Sequence, residues 1–212
     1  MEISIVYIDD EPDPYLTRYL AEEFDNKIFS NDKLNPPQEV RLFYKECKYN
    51  PSKSYRTIFE DCRIKNADVI IADHRLYADD GLNAHKFSGS QFFLLAKLLL
   101  RHAEVLIITQ EKERAGELVL RKYESTDSGD YNDAKEFYNK KLREKVNSAI
   151  RRVIEERFIC SEVSKNTEIE EVLKDRVNQM ALKVESYSEL SASDIDRLVQ
   201  DFKVIKGMIN DI

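Results

Sequence analysis

Two short apolar stretches of the chain end in carboxylate side chains. Residues 3–8 are followed by Asp9 and Asp10, and residues 67–72 are followed by Asp73. Apolar runs of this length that stop at an acid are typical of buried parallel strands, and ligands bind at the carboxyl ends of such strands in open α/β sheets. If the two strands are neighbours, the three carboxylates meet and repel one another, and a hard divalent cation such as Mg²⁺ relieves that repulsion.

The same carboxylates also have a purely structural interpretation. An Asp at the end of a strand is common as a turn residue or as the N-cap of the next helix, and Asp10 before Glu11 and Pro12 fits that pattern. The choice between chemistry and capping depends on the elements that hold the two stretches.

Strand and helix signals alternate along the first three quarters of the chain. Apolar runs predict five strands, and apolar residues at helical spacing predict helices between them, whereas the polar segment 26–38 is predicted to be a loop. This alternation predicts an α/β domain over residues 1–158, with a doubly wound parallel sheet of five strands and helices on both faces. The predicted strands are 3–8, 40–44, 69–73, 105–109 and 117–122, and the predicted helices begin near Pro14 and Asn50, lie within 82–102 and run through 137–154.

The pattern changes to helices alone in residues 159–212, which we predict to form a C-terminal helical hairpin. Two capping-box pairs, Thr167 with Glu170 and Ser193 with Asp196, mark the starts of its helices. The apolar stripes of these helices must be buried on the first domain or on a partner, which predicts a homodimer or a partner-protein interface. The stripes consist of Ile169, Leu173, Val177, Met180, Val184 and Tyr187, and of Ile195, Leu198, Phe202, Ile205, Ile209 and Ile212.

Composition limits the classes of function. The net charge of −7 and the acidic C-terminal segment argue against a nucleic-acid-binding protein. Three cysteines without metal-ligand spacing predict reduced thiols and a cytoplasmic protein. No apolar run approaches the ~18–20 residues that span a bilayer, and the chain starts directly in a strand without a basic leader, so neither a membrane segment nor a signal peptide is expected.

Four local motifs follow one another along residues 1–122, and a strand-end lysine, Lys122, follows them. The motifs are Ile8-Asp9-Asp10-Glu11, Ile70-Ile71-Ala72-Asp73, the spacing from Asp73 to Asp80-Gly81 with Leu76 between them, and the run from Val105 to Thr109. In this order and spacing they resemble the receiver domain of two-component response regulators, in which an acid pair, an acceptor Asp, a hydroxyl and a Lys come in the same order. The resemblance covers residues 1–158 and implies the flavodoxin-like fold of that family.

The resemblance implies that Asp73 accepts a phosphoryl group from a phosphohistidine and becomes an acyl phosphate. Asp10 and Asp73 would bind Mg²⁺ directly, together with the backbone carbonyl of Arg75, and Asp9 would act mostly through water. The metal would neutralise charge on the transferring phosphoryl group. The implied partner is a histidine kinase or a histidine phosphotransfer protein.

Two further residues complete the implied site. Thr109 would donate a hydrogen bond to a phosphoryl oxygen and Lys122 would pair with another, and their movement would turn the chemistry into a surface change. Both residues also have simpler interpretations, Thr109 as a β-branched strand residue and Lys122 as a solvated strand end. The implied activity is limited to self-phosphorylation from a phosphodonor and slow dephosphorylation.

Three positions and one connection depart from the family pattern. Gln110 stands where a small residue is usual, Tyr123 where proline is usual and Val119 where an aromatic residue is common, and the connection 110–115 is too short for a full helix. These departures favour the alternative of a pseudo-receiver, an interaction module that is not phosphorylated. A Mg²⁺-dependent phosphohydrolase is a weaker alternative, because Arg75 stands where such enzymes commonly have a general acid.

Overall fold

The computed structural model describes most of the 212-residue chain. It covers residues 1–34, 36–50, 55–76, 88–111, 119–124 and 130–166, together with Glu171, Leu173, Lys174 and Val177. The strands are β1 (Glu2–Asp9), β2 (Ile28–Asn31), β3 (Gln38–Lys48), β4 (Val69–Asp73), β5 (Glu104–Thr109) and β6 (Val119–Arg121). The helices are α1 (Pro14–Phe24), α2 (Arg56–Glu60), α3 (Cys62–Lys65), α4 (Gly89–Leu99), α5 (Tyr131–Lys141) and α6 (Arg143–Lys165).

The six strands lie in one sheet, in the order β2-β3-β1-β4-β5-β6. All neighbouring pairs are parallel except β2 and β3, which are antiparallel. The predicted α/β class is therefore confirmed, whereas the predicted sheet of five strands, all parallel, is wrong, because the sheet has a sixth and antiparallel strand. The parallel pairing brings the carboxyl ends of β1, β4 and β5 to one edge of the sheet.

The additional strand, β2, lies in the segment 26–38 that was predicted to be a loop. It follows Asn26, whose φ of 54° is the left-handed conformation and reverses the chain after α1. Ile28 is 67% exposed, and among the described residues β3 is the only strand paired with β2. A four-residue edge strand that is mostly exposed carries little apolar alternation, so the sequence pattern did not reveal it.

Helices cover both faces of the sheet. On one face, α1, α5 and α6 bury Tyr19, Tyr138 and Ile150 in a core with β1. On the other face, α2, α3 and α4 form a second core, in which Phe59 and Phe92 stack with ring centroids 5.4 Å apart. Alternate residues of β1 enter the two cores, as expected for a strand buried on both sides: Ile3, Ile5 and Tyr7 enter the first, and Val6 and Ile8 enter the second.

The helix predicted from Asn50 is two short helices, α2 and α3, within the described residues. Asp61 separates them, because its backbone is extended and its carboxylate accepts a hydrogen bond from Arg63 N (2.8 Å) in the first turn of α3. The Arg63 guanidinium also donates to the Asp61 carboxylate (2.6 Å) and to Glu46 O (2.8 Å), which holds α3 against β3. A capping residue inside a continuous apolar stripe therefore ends one helix and starts the next.

The long helix predicted through 137–154 is also two helices. α5 and α6 meet at Leu142, which is buried between them. The helix predicted within 82–102 is observed as α4, and Ser88 is its N-cap with a complete capping box. Residues 77–87, in which that helix was predicted to start, lie outside the described residues.

The C-terminal helical hairpin predicted for residues 159–212 lies almost wholly outside the described residues. α6 continues without a break from Arg143 to Lys165, through the predicted boundary between the two domains. Further along the chain, Leu173 is 55% exposed. Among the described helices, none has both the length and the apolar character needed to cross a bilayer.

A buried ion pair lies at the edge of the sheet opposite the carboxyl ends. Asp68, fully buried just before β4, accepts a hydrogen bond from Ser4 N (2.8 Å) and pairs with Arg157 of α6. Arg157 also donates from Nη1 to Glu2 O (2.9 Å). One guanidinium therefore ties α6 to the starts of β1 and β4, and it balances a carboxylate that water does not reach.

We expect Arg157→Ala to lower the free energy of unfolding by about 3 kcal/mol, because it removes the guanidinium that pairs with the buried Asp68 carboxylate. Arg152→Ala is the matched control, since Arg152 on the same helix pairs with Glu104 from a half-exposed position (2.8 Å) and should cost at most about 1 kcal/mol. Denaturant unfolding of both variants measures the difference. Equal losses would contradict the importance assigned to the buried pair.

Candidate functional site

The carboxyl ends of β1, β4 and β5 surround an open pocket of 670 Å³. Parallel register sets Ile8 beside Ala72, so the following residues, Asp9 and Asp73, end neighbouring strands side by side. Every residue that the sequence singled out for the site is among the residues that line this pocket. The lining consists of Asp9, Asp10, Glu11, Pro12, Asp13, Pro14, Asp73, Arg75, Thr109, Gln110, Glu111 and Lys122.

Lys122 lies between two of these carboxylates. Its Nζ is 2.6 Å from Asp9 Oδ2 and 2.5 Å from Asp73 Oδ1, and all three side chains are buried. Lys122 N donates to Thr109 O (2.7 Å). This hydrogen bond extends the β5–β6 pairing by one residue and fixes the backbone from which the Lys122 side chain projects. Burial lowers the pKa of Lys122, but the charges of Asp73 and Asp9 outweigh it and raise the pKa overall, so the ammonium stays charged.

Asp9 accepts hydrogen bonds from three directions. The Tyr7 hydroxyl and the Lys122 ammonium both donate to Oδ2, and Glu11 N donates to Oδ1 (3.1 Å). Tyr7 was missed in the sequence, because a tyrosine in an apolar run looks like a core residue. The two-residue period of a strand was the available signal, since it puts residues 7 and 9 on the same side of β1.

Asp73 is held by its own loop and by α4. Arg75 N donates to Asp73 Oδ2 (2.5 Å), while Oδ1 faces Lys122. Gly89 N donates to His74 O (2.8 Å), and a Cβ on Gly89 would lie only 2.4 Å from Asp73 O, so no larger residue fits there without a shift. Burial raises the pKa of Asp73, although Lys122 and the Arg75 amide oppose that rise.

Asp10 is the half-buried member of the three carboxylates. Burial, and then its hydrogen bond to Asp9 and the charge of Asp9, raise the pKa of Asp10 to about 6. The helix-capping role considered for Asp10 belongs to Asp13, whose carboxylate accepts a hydrogen bond from Leu16 N (2.9 Å) at the start of α1. Asp10 is therefore at the pocket without being needed as the N-cap.

Thr109 ends β5 with its side chain buried. Its Oγ1 accepts a hydrogen bond from Glu111 N (3.1 Å), and the hydroxyl keeps its own proton to donate. Gln110, at the position where the resembled family has a small residue, is exposed at the rim. The Arg75 guanidinium pairs with Glu111 across the pocket (Nε to Oε1, 2.6 Å), so a mixed-charge pair covers this side of the opening.

Tyr123, the residue where the family usually has proline, connects the end of β6 to α5. Its backbone N–H donates to the Tyr138 hydroxyl (3.1 Å), a bond that proline could not make. Its ring contacts Tyr15 and Phe137, with centroids 6.1 Å and 5.8 Å away. The residue after Lys122 is therefore packed into the interface between α1 and α5.

The lining of the pocket fits a hard cation by its chemistry. Six acidic side chains face two basic ones, and carboxylates and backbone carbonyls are the ligands that Mg²⁺ prefers. In the described part of the chain, no three carboxylate, histidine or cysteine side chains are close enough together to hold a metal ion. The Lys122 ammonium instead takes the place between Asp9 and Asp73.

A scan against models of known protein families finds no match for this chain, and a search of the curated proteins finds no relative. Functional assignment therefore rests on the residues of the pocket and on their contacts.

Lys122→Met is expected to lower the free energy of unfolding by about 3 kcal/mol at neutral pH, because two buried carboxylates lose their counter-ion. The loss should shrink towards pH ~4, the ordinary pKa of Asp. The pKa of Asp73 in the folded protein is raised above this ordinary value. Protonated Asp73 therefore stabilises the folded state fully below the ordinary pKa, and this stabilisation is lost as the pH rises through the folded-state pKa.

Denaturant unfolding at both pH values measures this effect. Lys135→Met is the control, since Lys135 is a half-exposed lysine of α5 that pairs with Glu22 and Glu23 (3.0 and 3.2 Å) and should show little effect at either pH. A loss for Lys122→Met that is the same at both pH values would contradict its role as a counter-ion.

Proposed function

We propose that the chain is a receiver-like phospho-acceptor of two-component signalling, and that Asp73 takes a phosphoryl group from a histidine kinase or a histidine phosphotransfer protein. The observation that carries the proposal is the buried pair of Asp73 and Lys122, at the base of an open acidic pocket. A reactive carboxylate needs both access from solvent and a fixed cation beside it, and this pair combines the two.

The order of the strands supports the same proposal. Without the edge strand β2, the five parallel strands have the order β3-β1-β4-β5-β6, which is the order 2-1-3-4-5 of flavodoxin-like proteins. In that fold, ligands bind where the strand order reverses, between the first and third parallel strands, which are β1 and β4 here. Asp9 and Asp73 end the two strands at that position.

The proposed reaction is one displacement at phosphorus. A carboxylate oxygen of Asp73 forms a bond to the phosphorus of the phosphohistidine, and the phosphorus–nitrogen bond breaks with its electron pair remaining on the imidazole nitrogen. Asp10, Asp73, the Arg75 carbonyl and, through water, Asp9 would hold Mg²⁺. When bound, the ion supplies positive charge that offsets the negative charge of the transferring group among the carboxylates.

Two residues of the pocket would bind the product. With a phosphoryl group on Asp73, the negative charge next to Lys122 increases and extends outwards, so its ammonium is expected to pair with a phosphoryl oxygen. Thr109 would donate its hydroxyl proton to another. Lys122 is followed directly by Tyr123, whose backbone N–H donates to the Tyr138 hydroxyl of α5. A shift of Lys122 would therefore be transmitted through Tyr123 to α5 and then to α6.

The readout of this signal is proposed to be contact with another protein. The helices predicted in residues 159–212 would supply the surface for a second copy or for a partner. A cytoplasmic location is part of the proposal, in keeping with three cysteines that are all free thiols.

We expect the full chain to gain the mass of one phosphoryl group when it is incubated with Mg²⁺ and acetyl phosphate, as measured by mass spectrometry of the intact protein. Asp73→Asn should abolish the gain, and chelation of Mg²⁺ should prevent it. Asp130→Asn is the control, because it makes the same change at an N-cap outside the pocket, where Asn still caps the helix.

The outcomes separate the alternatives. Labelling that persists in Asp73→Asn would contradict Asp73 as the acceptor. A native chain that gains no mass at saturating acetyl phosphate would favour the pseudo-receiver, and steady turnover of a phosphoester would favour the hydrolase.

A further inference from the structure

Tyr7 lies beneath the pocket as a buried hydroxyl that the proposed reaction does not use. It is fully buried in β1, on the same side of the strand as Asp9, and its hydroxyl donates to Asp9 Oδ2. Asp13 N, at the start of α1, lies 3.5 Å from the same hydroxyl oxygen and donates to it. The hydroxyl therefore connects the loop after β1 to the Asp9 carboxylate.

The Tyr7 hydroxyl can serve Asp9 only as a donor. Its single proton points to the carboxylate, and its oxygen accepts from Asp13 N. Because the hydrogen bond to Asp9 uses that proton, Asp9 has a neutral donor on Oδ2.

Lys122 shares this same oxygen. Its Nζ is 2.6 Å from Asp9 Oδ2, and it is 2.5 Å from Asp73 Oδ1. Removing every donor from a buried carboxylate oxygen costs the full desolvation penalty of that oxygen, whereas removing one of two donors costs much less free energy. Because Tyr7 stays in place, Lys122 can move away from Asp9 without leaving that oxygen bare.

We propose that Tyr7 is a positioning residue that acts through Asp9 and sets how strongly the Lys122 ammonium is held by Asp9 relative to Asp73. With the hydroxyl present, Asp9 holds Lys122 loosely enough for the ammonium to follow charge that is added to Asp73. Without it, Asp9 Oδ2 keeps the Lys122 ammonium as its charged donor and holds it there. The relative strength of the two Lys122 contacts is a property of the protein without phosphate or metal. Its effect on phosphorylation rests on the proposed function.

The test uses Tyr7→Phe, which keeps the ring and removes only the hydroxyl. Tyr19→Phe is the matched control, since Tyr19 is equally buried in the same core and its hydroxyl donates to the neutral Asn139 side chain (3.1 Å), away from the pocket. The first readout is the ¹⁵N NMR signal of the Lys122 ammonium in metal-free, unphosphorylated full-length protein, identified by its absence in Lys122→Met.

We expect the Lys122 signal to shift in Tyr7→Phe and to stay in place in Tyr19→Phe. An unchanged signal in Tyr7→Phe would overturn the proposal, whether or not Asp73 accepts a phosphoryl group. This readout therefore separates failure of the inference from failure of the proposed function.

The second readout is the rate of Asp73 phosphorylation by acetyl phosphate. We expect Tyr7→Phe to lower the maximal rate about tenfold, the effect of one hydrogen bond to a buried charge, while the half-saturating donor concentration is unchanged. In a Lys122→Met background, Tyr7→Phe should have no further effect, because Tyr7 acts through Lys122. An equal loss in both backgrounds, or an equal loss in Tyr19→Phe, would overturn the proposal in favour of a structural role.

Discussion

Two buried carboxylates at the ends of neighbouring strands depend on one cation. Asp9 and Asp73 are brought together by the parallel register of β1 and β4, and neither could remain buried and charged without a counter-ion. Lys122 supplies that charge from the position just after β6, which is two strands away from β4. The contacts of Lys122 with Asp9 and Asp73 therefore hold the pocket together. Binding of a second cation, or a phosphoryl group on Asp73, would have to change these contacts.

The rest of the fold positions these three side chains. Helices on both faces bury β1 and β4, so that only their carboxyl ends meet the pocket. At that edge, the close contact of Gly89 with the Asp73 backbone fixes α4 against the end of β4. At the opposite edge, Asp68 and Arg157 fix α6 against the start of the same strand. A short strand held at both ends gives Asp73 a defined position while its carboxylate still borders an open pocket.

The sequence predicted the features that depend on local patterns. The strand predicted at 69–73 is observed as Val69–Asp73, because a continuous apolar run that stops at an acid specifies both ends of a buried strand. Features that depend on distant partners were missed: β2 is defined by its pairing with β3, and the role of Tyr7 depends on Lys122, which is 115 positions later in the chain. The division of α2 from α3 at Asp61 was missed because a capping carboxylate does not interrupt an apolar stripe.

A crystal structure of the full chain with Mg²⁺ and beryllofluoride, a mimic of a bound phosphoryl group, tests the central claim most directly. The account predicts beryllofluoride bonded to an Asp73 carboxylate oxygen, Lys122 Nζ within ~3 Å of a fluoride, and the Tyr7 hydroxyl still donating to Asp9. A structure at saturating beryllofluoride in which Asp73 carries no adduct and Lys122 still lies between the two carboxylates would contradict it.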